Sequence, residues 1–265
     1  MYQYNDDSLM LHNDLYQINM AESYWNDGIH ERIAVFDLYF RKMPFNSGYA
    51  VFNGLKRVVN FIENFGFTNE DITYLKSIGY EEDFLNYLKD LKFTGNIKSM
   101  QEGEICFGNE PLLRVEAPLI QAQLIETILL NIINFQTLIA TKASRIRQIA
   151  THDTLMEFGT RRAQEIDAAL WGARAAFIGG FDSTSNVRAG KLFNIPVSGT
   201  HAHALVQTYG DEYIAFKKYA ERHKNCVFLV DTFHTLKSGV PTAIKVAKEL
   251  GDTINFIGIR LDSGD

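Results

Sequence analysis

The chain has 265 residues, 46% hydrophobic and 22% charged, with a formal net charge of −6. That is room for one large α/β domain or two modest ones, and it excludes the broad basic field that attracts nucleic acid or an anionic membrane. Cys106 and Cys226 stand far apart in apolar runs, form neither a metal spacing nor a disulfide framework, and fit a reducing cytoplasm. The acidic start, Tyr2 to Asp7, has no signal-like apolar core, and no apolar run reads as long enough to span a bilayer.

In chain order, residues 8–27 read as a helix with Leu15, Ile18, Met20, Tyr24 and Trp25 on its apolar face. Residues 33–42, rich in β-branched and aromatic side chains, read as a strand. An amphipathic helix over 51–65 turns Leu55, Val58, Val59 and Ile62 inward, and two short helices fill 68–92 behind a cap region at Thr68 to Asp71. Alternation of apolar and polar residues over 94–117, punctuated by Gly103, Gly108 and Pro111, predicts a small antiparallel sheet. From Pro118 to Ala150 the sequence is helical and apolar nearly all round, which predicts burial. Beyond 150 strands near 154–158, 176–180, 196–200, 226–231 and 256–262 alternate with helices 161–173, 184–192, 205–223 and 238–250. That rhythm belongs to a barrel or an open parallel sheet, and a barrel needs eight such units. The domain boundary is expected within the long helix, giving 1–140 and 141–265.

Chemistry is expected at the C-terminal tips of the strands, where parallel α/β proteins place it. Arg161 and Arg162 enter a helix after Glu157-Phe158-Gly159-Thr160; two guanidiniums there suit a carboxylate or phosphate, or bridge to Glu165 or Asp167. Ser183 to Asn186 can cap a helix and line an anion site after Gly179-Gly180. Gly199-Thr200-His201-Ala202-His203 is the richest tip. Asp231 on the next strand is placed to orient the His203 imidazole. A metal set of His201, His203, His234 and Asp262 is the competing arrangement, though its spacing is loose. Arg260, Asp262 and Asp265 put a cation and two carboxylates on a fifth tip, where carboxylates beside a phosphate suit Mg2+; an Arg260–Asp262 ion pair is compatible with that. Tyr16, near the N-terminus, can stack on a flat heterocycle or serve as a helix contact.

Taken together, six ordered blocks resemble nicotinate phosphoribosyltransferases. They are Asn13-Asp14-Leu15-Tyr16-Gln17 with Met20 and Tyr24-Trp25; Phe36 to Arg41 with Pro44; Glu157-Phe158-Gly159 with Arg161-Arg162-Ala163; Gly179 to Ser183 with Ser185-Asn186; Gly199-Thr200 with Ala202-His203; and Arg260 to Asp265. The resemblance implies an α/β fold in which an N-terminal α/β sandwich packs with an irregular (β/α) barrel, incomplete in this chain. It implies condensation of nicotinate with phosphoribosyl pyrophosphate, ATP hydrolysis coupled through a phosphohistidine, and a need for Mg2+. By position His203 matches the phosphorylated histidine, with Asp231 and Asp262 as its catalytic neighbours. Thr200, Arg161 and Arg260 match residues that hold nicotinate and the phosphoribosyl phosphates, and Tyr16 matches a tyrosine supplied to the ring across a homodimer interface. Ser183 is expected among the substrate-binding residues, and Asp262 and Asp265 at the metal. Family chains continue past Asp-Ser-Gly-Asp, so activity is expected of the longer form and not of residues 1–265 alone. Nicotinamide phosphoribosyltransferase is the sister alternative and a barrel metallohydrolase the more distant one. A cytoplasmic enzyme without nucleic-acid or membrane partners is expected.

Overall fold

The structure is a computed structural model that describes residues 9–263. It contains two compact units, divided between Val197 and Ser198. The boundary expected at 140/141 lies within the long helix Leu119–Ile149.

The first unit opens with α1 (Leu15–Asn26), β1 (Ile33–Leu38), a 3-10 turn at Pro44–Asn46, β2 (Ala50–Val51) and α2 (Leu55–Glu63). It continues through α3 (Asn69–Ser77), α4 (Glu82–Asp90), β3 (Asn96–Ser99), β4 (Ile105–Cys106), β5 (Leu113–Pro118) and α5 (Leu119–Ile149). The last elements are β6 (Met156–Glu157), a 3-10 turn at Thr160–Arg162, α6 (Glu165–Ile178), β7 (Ser183–Thr184) and α7 (Val187–Phe193).

The spine is α5. Ile120, Leu124, Ile125, Ile128 and Ile133 are fully buried in the main core with Phe52, Leu75, Phe84 and Leu88, as its all-round apolar sequence requires. By length and composition α5 could also cross a membrane, though more than half of its most apolar stretch is buried inside the protein. This corrects the expectation that no run is long enough: the interspersed Gln, Thr and Asn lower local hydropathy without adding charge. The antiparallel sheet is ordered β1-β5-β3, and β2 pairs with β4. Two α5 threonines serve the short β2 segment. Thr141 Oγ1 accepts from Val51 N at 2.9 Å and Thr137 Oγ1 from Asn53 N at 3.1 Å, so backbone groups left without a ladder partner are satisfied. At the start of α3, Thr68 and Asp71 exchange side chain–backbone bonds as a capping box.

Several elements depart from expectation. The stripe of α1 that is buried is Gln17, Ile18 and Ala21, while Leu15, Tyr16 and Met20 are exposed. On α2 Val58 and Phe61 are buried and Val59 is exposed. The run at 176–180 is not a strand: α6 continues to Ile178 because alanine recurs through it, the strongest helix former. Gly179 and Gly180 then end it, and the parallel pairing with β6 falls on Ser183–Thr184. The expected strand at 196–200 reduces to one parallel bridge, Val197 to Thr184; Pro196 has no N–H to give.

Salt bridges hold α6 to the rest of the first unit. Arg174 binds Glu102 through both guanidinium nitrogens at 2.9 and 2.5 Å, and Glu102 also accepts from Gly54 N at the start of α2. Arg57 binds Asp167 at 2.7 Å. These contacts explain why compactness extends beyond the long helix.

The second unit contains α8 (His203–Tyr209), α9 (Glu212–Ala220), β8 (Asn225–Leu229), a π turn at Thr235–Gly239, α10 (Val240–Leu250) and β9 (Asn255–Arg260). The single helix expected over 205–223 is broken at Gly210, whose φ of 68° is left-handed, and Asp211 caps the next helix by accepting from Ile214 N. Strands β8 and β9 are parallel, aligned from Asn225–Asn255 to Leu229–Arg260. Phe216 and Phe228, stacked 4.9 Å apart, centre a core with Val206, Val230, Ala243 and Val246. A Cβ on Gly239 would fall 1.8 Å from Val230 O, so the π turn packs directly on the end of β8. Each sheet is open, and among the described residues no barrel closes.

Candidate active site

Two parallel strands end side by side in the second unit, and their tips carry Asp231, Thr232, Asp262 and Ser263. The 198–202 loop brings Thr200 and His203 to the same place. Arg260, the last residue of β9, donates to Thr200 Oγ1 at 2.9 Å and pairs with Asp262 Oδ1. His203 begins α8. Its Nδ1 lies 3.1 Å from Thr232 Oγ1, and its Nε2 faces Asp262 Oδ2 at 3.5 Å and Asp231 Oδ1 at 3.9 Å. Of the expected site residues, Thr200, His203, Asp231, Arg260 and Asp262 therefore converge on one cluster.

The two oxygens of Asp231 do different work. Oδ2 accepts from the N–H groups of Asp262 and Ser263, both at 2.6 Å, and from Ser263 Oγ at 3.1 Å. Oδ1 is buried without a hydrogen bond and is the oxygen turned toward His203. Burial pushes the carboxyl up, but the backbone N–H bonds outweigh it and hold the group below the usual aspartate range. Asp231 is thus a fixed anion beside the imidazole. The His203 side chain remains 30% exposed while that of Asp231 is 3% exposed, so a ligand can reach the ring but not the carboxylate behind it.

His201, two residues away, is a core residue. Its Nε2 accepts from Leu229 N at 3.1 Å, and its ring packs edge-on to Tyr219 at 4.9 Å. Burial pushes its pKa down, which favours the neutral ring that this acceptor role requires. His234 caps the π turn by accepting from Lys237 N. The expected alternative of a His201–His203–His234–Asp262 metal set is therefore corrected: two of its histidines are committed to backbone N–H groups, and among the described residues no three His, Cys, Asp or Glu groups are gathered to hold an ion. Mg2+ asks less, one or two carboxylates completed by waters and phosphates. Asp262, a partly exposed hard oxygen donor, fits that demand. Asp265 lies outside the described residues.

The remaining expected site residues belong to the first unit. Tyr16 is exposed on α1, its hydroxyl accepting from Gln17 Nε2 at 3.0 Å. It lines a cavity of about 400 Å³ with Asp14, Tyr39, Arg41 and Asn134. Arg161 is exposed on the 3-10 turn before α6. Asp167, one of the partners considered for the arginine pair, is occupied by Arg57. Ser183 is buried on β7 with its Oγ unbonded, and the helix after it is capped by Asn186, which accepts from Ala189 N at 3.0 Å. Glu157 Oε2 accepts from Thr184 Oγ1 at 2.7 Å and ties the two strand tips. Asp182 is held by Leu155 N and by Arg147, which together keep its carboxyl below the usual range.

Sequence reasoning missed Thr232 and Ser263. Both sit next to a recognised aspartate on a strand tip, and that adjacency was the available signal.

Residues 11–134 match the family described as nicotinate phosphoribosyltransferase (NAPRTase) N-terminal domain, and residues 154–265 the nicotinate phosphoribosyltransferase (NAPRTase) family. The unmatched stretch between them holds the C-terminal part of α5. A nicotinate phosphoribosyltransferase of Bacillus subtilis (strain 168) is 68% identical over 265 residues, which are 100% of this chain and 54% of that protein. The crystal structure of human nicotinic acid phosphoribosyltransferase has a TM-score of 0.87 and 32% identity, covering 95% of this chain and 61% of that one. Nicotinate-nucleotide pyrophosphorylase from Pyrococcus furiosus has a TM-score of 0.80 and 26% identity, covering 100% and 60%. The chain spans about half the length of the curated relatives it matches.

Proposed function

This chain belongs to the nicotinate phosphoribosyltransferase family, and from that premise we propose that it supplies the catalytic histidine of an enzyme that joins nicotinate to phosphoribosyl pyrophosphate, coupled to ATP hydrolysis. The products are nicotinate mononucleotide and pyrophosphate, a salvage entry to NAD. The observation that carries the reading is the His203 cluster, an accessible imidazole backed by two carboxylates and flanked by Arg260.

Displacing pyrophosphate from the ribosyl carbon builds positive charge on the sugar and negative charge on the leaving group. Arg260 answers the second, with Thr200 fixing its guanidinium. Asp262, with Asp265, would hold Mg2+, which supplies charge neutralisation of the pyrophosphate when bound. Arg161 and Ser183 hold substrate, and Tyr16, already exposed on α1, stacks on the pyridine ring of a partner subunit. No protein nucleophile on the sugar is needed, because nicotinate itself attacks. His203 takes the γ-phosphoryl group of ATP, and the added negative charge beside the pyrophosphate site couples hydrolysis to turnover. Asp231 supplies a fixed negative charge beside the ring. The wider assignment is a cytoplasmic homodimer in which residues 1–140 form a sandwich and 141–265 begin an irregular barrel.

The deciding experiment offers nicotinate and nicotinamide in parallel to the longest form of the protein, with phosphoribosyl pyrophosphate and Mg2+, with and without ATP. Mononucleotide from nicotinate, stimulated by ATP, is expected. His203→Ala should abolish the stimulation and leave some basal transfer; equal loss of both overturns the role of His203. Product from nicotinamide alone moves the assignment to the sister enzyme.

A further inference from the structure

His203 stands between two kinds of neighbour. Its Nδ1 is 3.1 Å from the Thr232 hydroxyl, and its Nε2 faces carboxylate oxygens of Asp262 at 3.5 Å and Asp231 at 3.9 Å. Ionised carboxylates only accept, so the nitrogen facing two of them is the one that carries the proton of a neutral ring. Nδ1 then holds the lone pair, and a hydroxyl at hydrogen-bond distance from a lone pair donates. We propose that Thr232 is a positioning residue for His203: its hydroxyl donates to Nδ1, sets the ring plane and tautomer, and caps the lone pair until a phosphoryl group displaces it.

The backbone makes this arrangement rigid. Thr232 follows Asp231 directly at the end of β8, and Asp231 is pinned through Oδ2 to the tip of β9. One strand tip therefore presents a donor to one ring nitrogen and an acceptor to the other. The consequence for catalysis rests on the reading of His203 as the phosphoryl acceptor. In that step the Nδ1 lone pair forms a bond to the γ-phosphorus of ATP, the bond from phosphorus to the β-phosphate oxygen breaks, and its electron pair leaves with ADP. The positive charge gained by the ring is balanced by Asp231 and Asp262 at Nε2–H. The Thr232 hydroxyl, released by rotation about χ1, is free to donate to a phosphoryl oxygen.

The test is nitrogen NMR of histidine-labelled protein in slightly alkaline buffer, with His203 assigned by comparison with His203→Gln. Wild type should show Nδ1 unprotonated and Nε2 protonated. Thr232→Val, which keeps the shape and removes the hydroxyl, should shift the Nδ1 resonance, and Thr232→Ser should restore it. Transfer of labelled phosphate from ATP should fall about tenfold in the valine variant through kcat rather than KM, and stay within about threefold in the serine variant, as expected for one lost hydrogen bond. A protonated Nδ1 in wild type, or a Thr232→Val spectrum superposable on it, overturns the proposal. If wild type takes no label from ATP, the phosphoryl-acceptor reading fails instead, and the spectra still decide whether Thr232 holds the ring.

Discussion

Two histidines separated by one alanine have opposite fates, and nothing in the spacing His201-Ala202-His203 says which is which. Continued extended backbone would put residues two apart on one face, but Ala202 is the N-cap of α8 and His203 its first residue, so the chain turns into the helix between the two rings and they part. His201 enters the aromatic core and accepts the N–H of Leu229, while His203 turns to the carboxylates. The contrast is testable in stability rather than activity. His201→Ala leaves a cavity between Phe216, Tyr219 and Phe228 and strands a buried N–H, and should cost about 3 kcal/mol in urea unfolding. His203→Ala, at a partly exposed position, should stay within about 1 kcal/mol of wild type. Comparable losses in the two variants would mean that both rings are structural. Asp231 was legible from its strand-tip position, but the division of labour between its two oxygens depends on N–H groups three elements later in the chain.

At the scale of elements, helix α6 is the most instructive. Its composition reads locally as a helix followed by an apolar strand, yet the alanines carry the helix through to Ile178 and push the strand to 183–184. Its partners were not legible at all, because Arg174 and Glu102 are 72 residues apart. Burial opposes the charge on Glu102, but the hydrogen bonds and charge of Arg174, with the N–H groups of Gly54 and Lys56, hold its carboxyl below the usual range. A carboxyl whose pKa is depressed by folding stabilises the fold fully above its unfolded value and loses that contribution as pH falls through the folded one. Glu102→Ala should therefore cost about 3 kcal/mol at neutral pH, leaving a buried guanidinium unpaired. The gap from wild type should hold above pH of about 5 and shrink as acid protonates the wild-type carboxyl. A gap independent of pH between neutral and acid would show that packing, not charge, is what the pair contributes. Urea midpoints across that range read it directly.

For the whole molecule, the exposed apolar residues of α1 matter most. Leu15, Tyr16 and Met20 lie off the stripe that packs inward, so the helix has a second apolar surface for a partner subunit in the proposed dimer. If Tyr16 of one subunit completes the site containing His203 of the other, a mixture of Tyr16→Ala and His203→Ala proteins, refolded together, should regain ATP-stimulated activity that neither shows alone. Random pairing makes half the dimers mixed with one intact site each, so recovery should approach about a quarter of wild type. No recovery in a mixture that sedimentation shows to be dimeric would place Tyr16 in its own subunit's site.

By itself the sequence determined the family, the run of most helices and strands, the burial of α5 and the strand tips whose polar residues converge on the candidate site. Those features are written in local periodicity, capping residues and short motifs, which act over a few residues and survive wherever the segment ends up. Only the tertiary structure decided which histidine faces solvent, which residue holds it and which side chains of α1 are left outside. Each of those depends on a partner supplied by a distant part of the chain. A hydrogen bond or a buried ring is a statement about two places in the sequence at once, and no local pattern carries it.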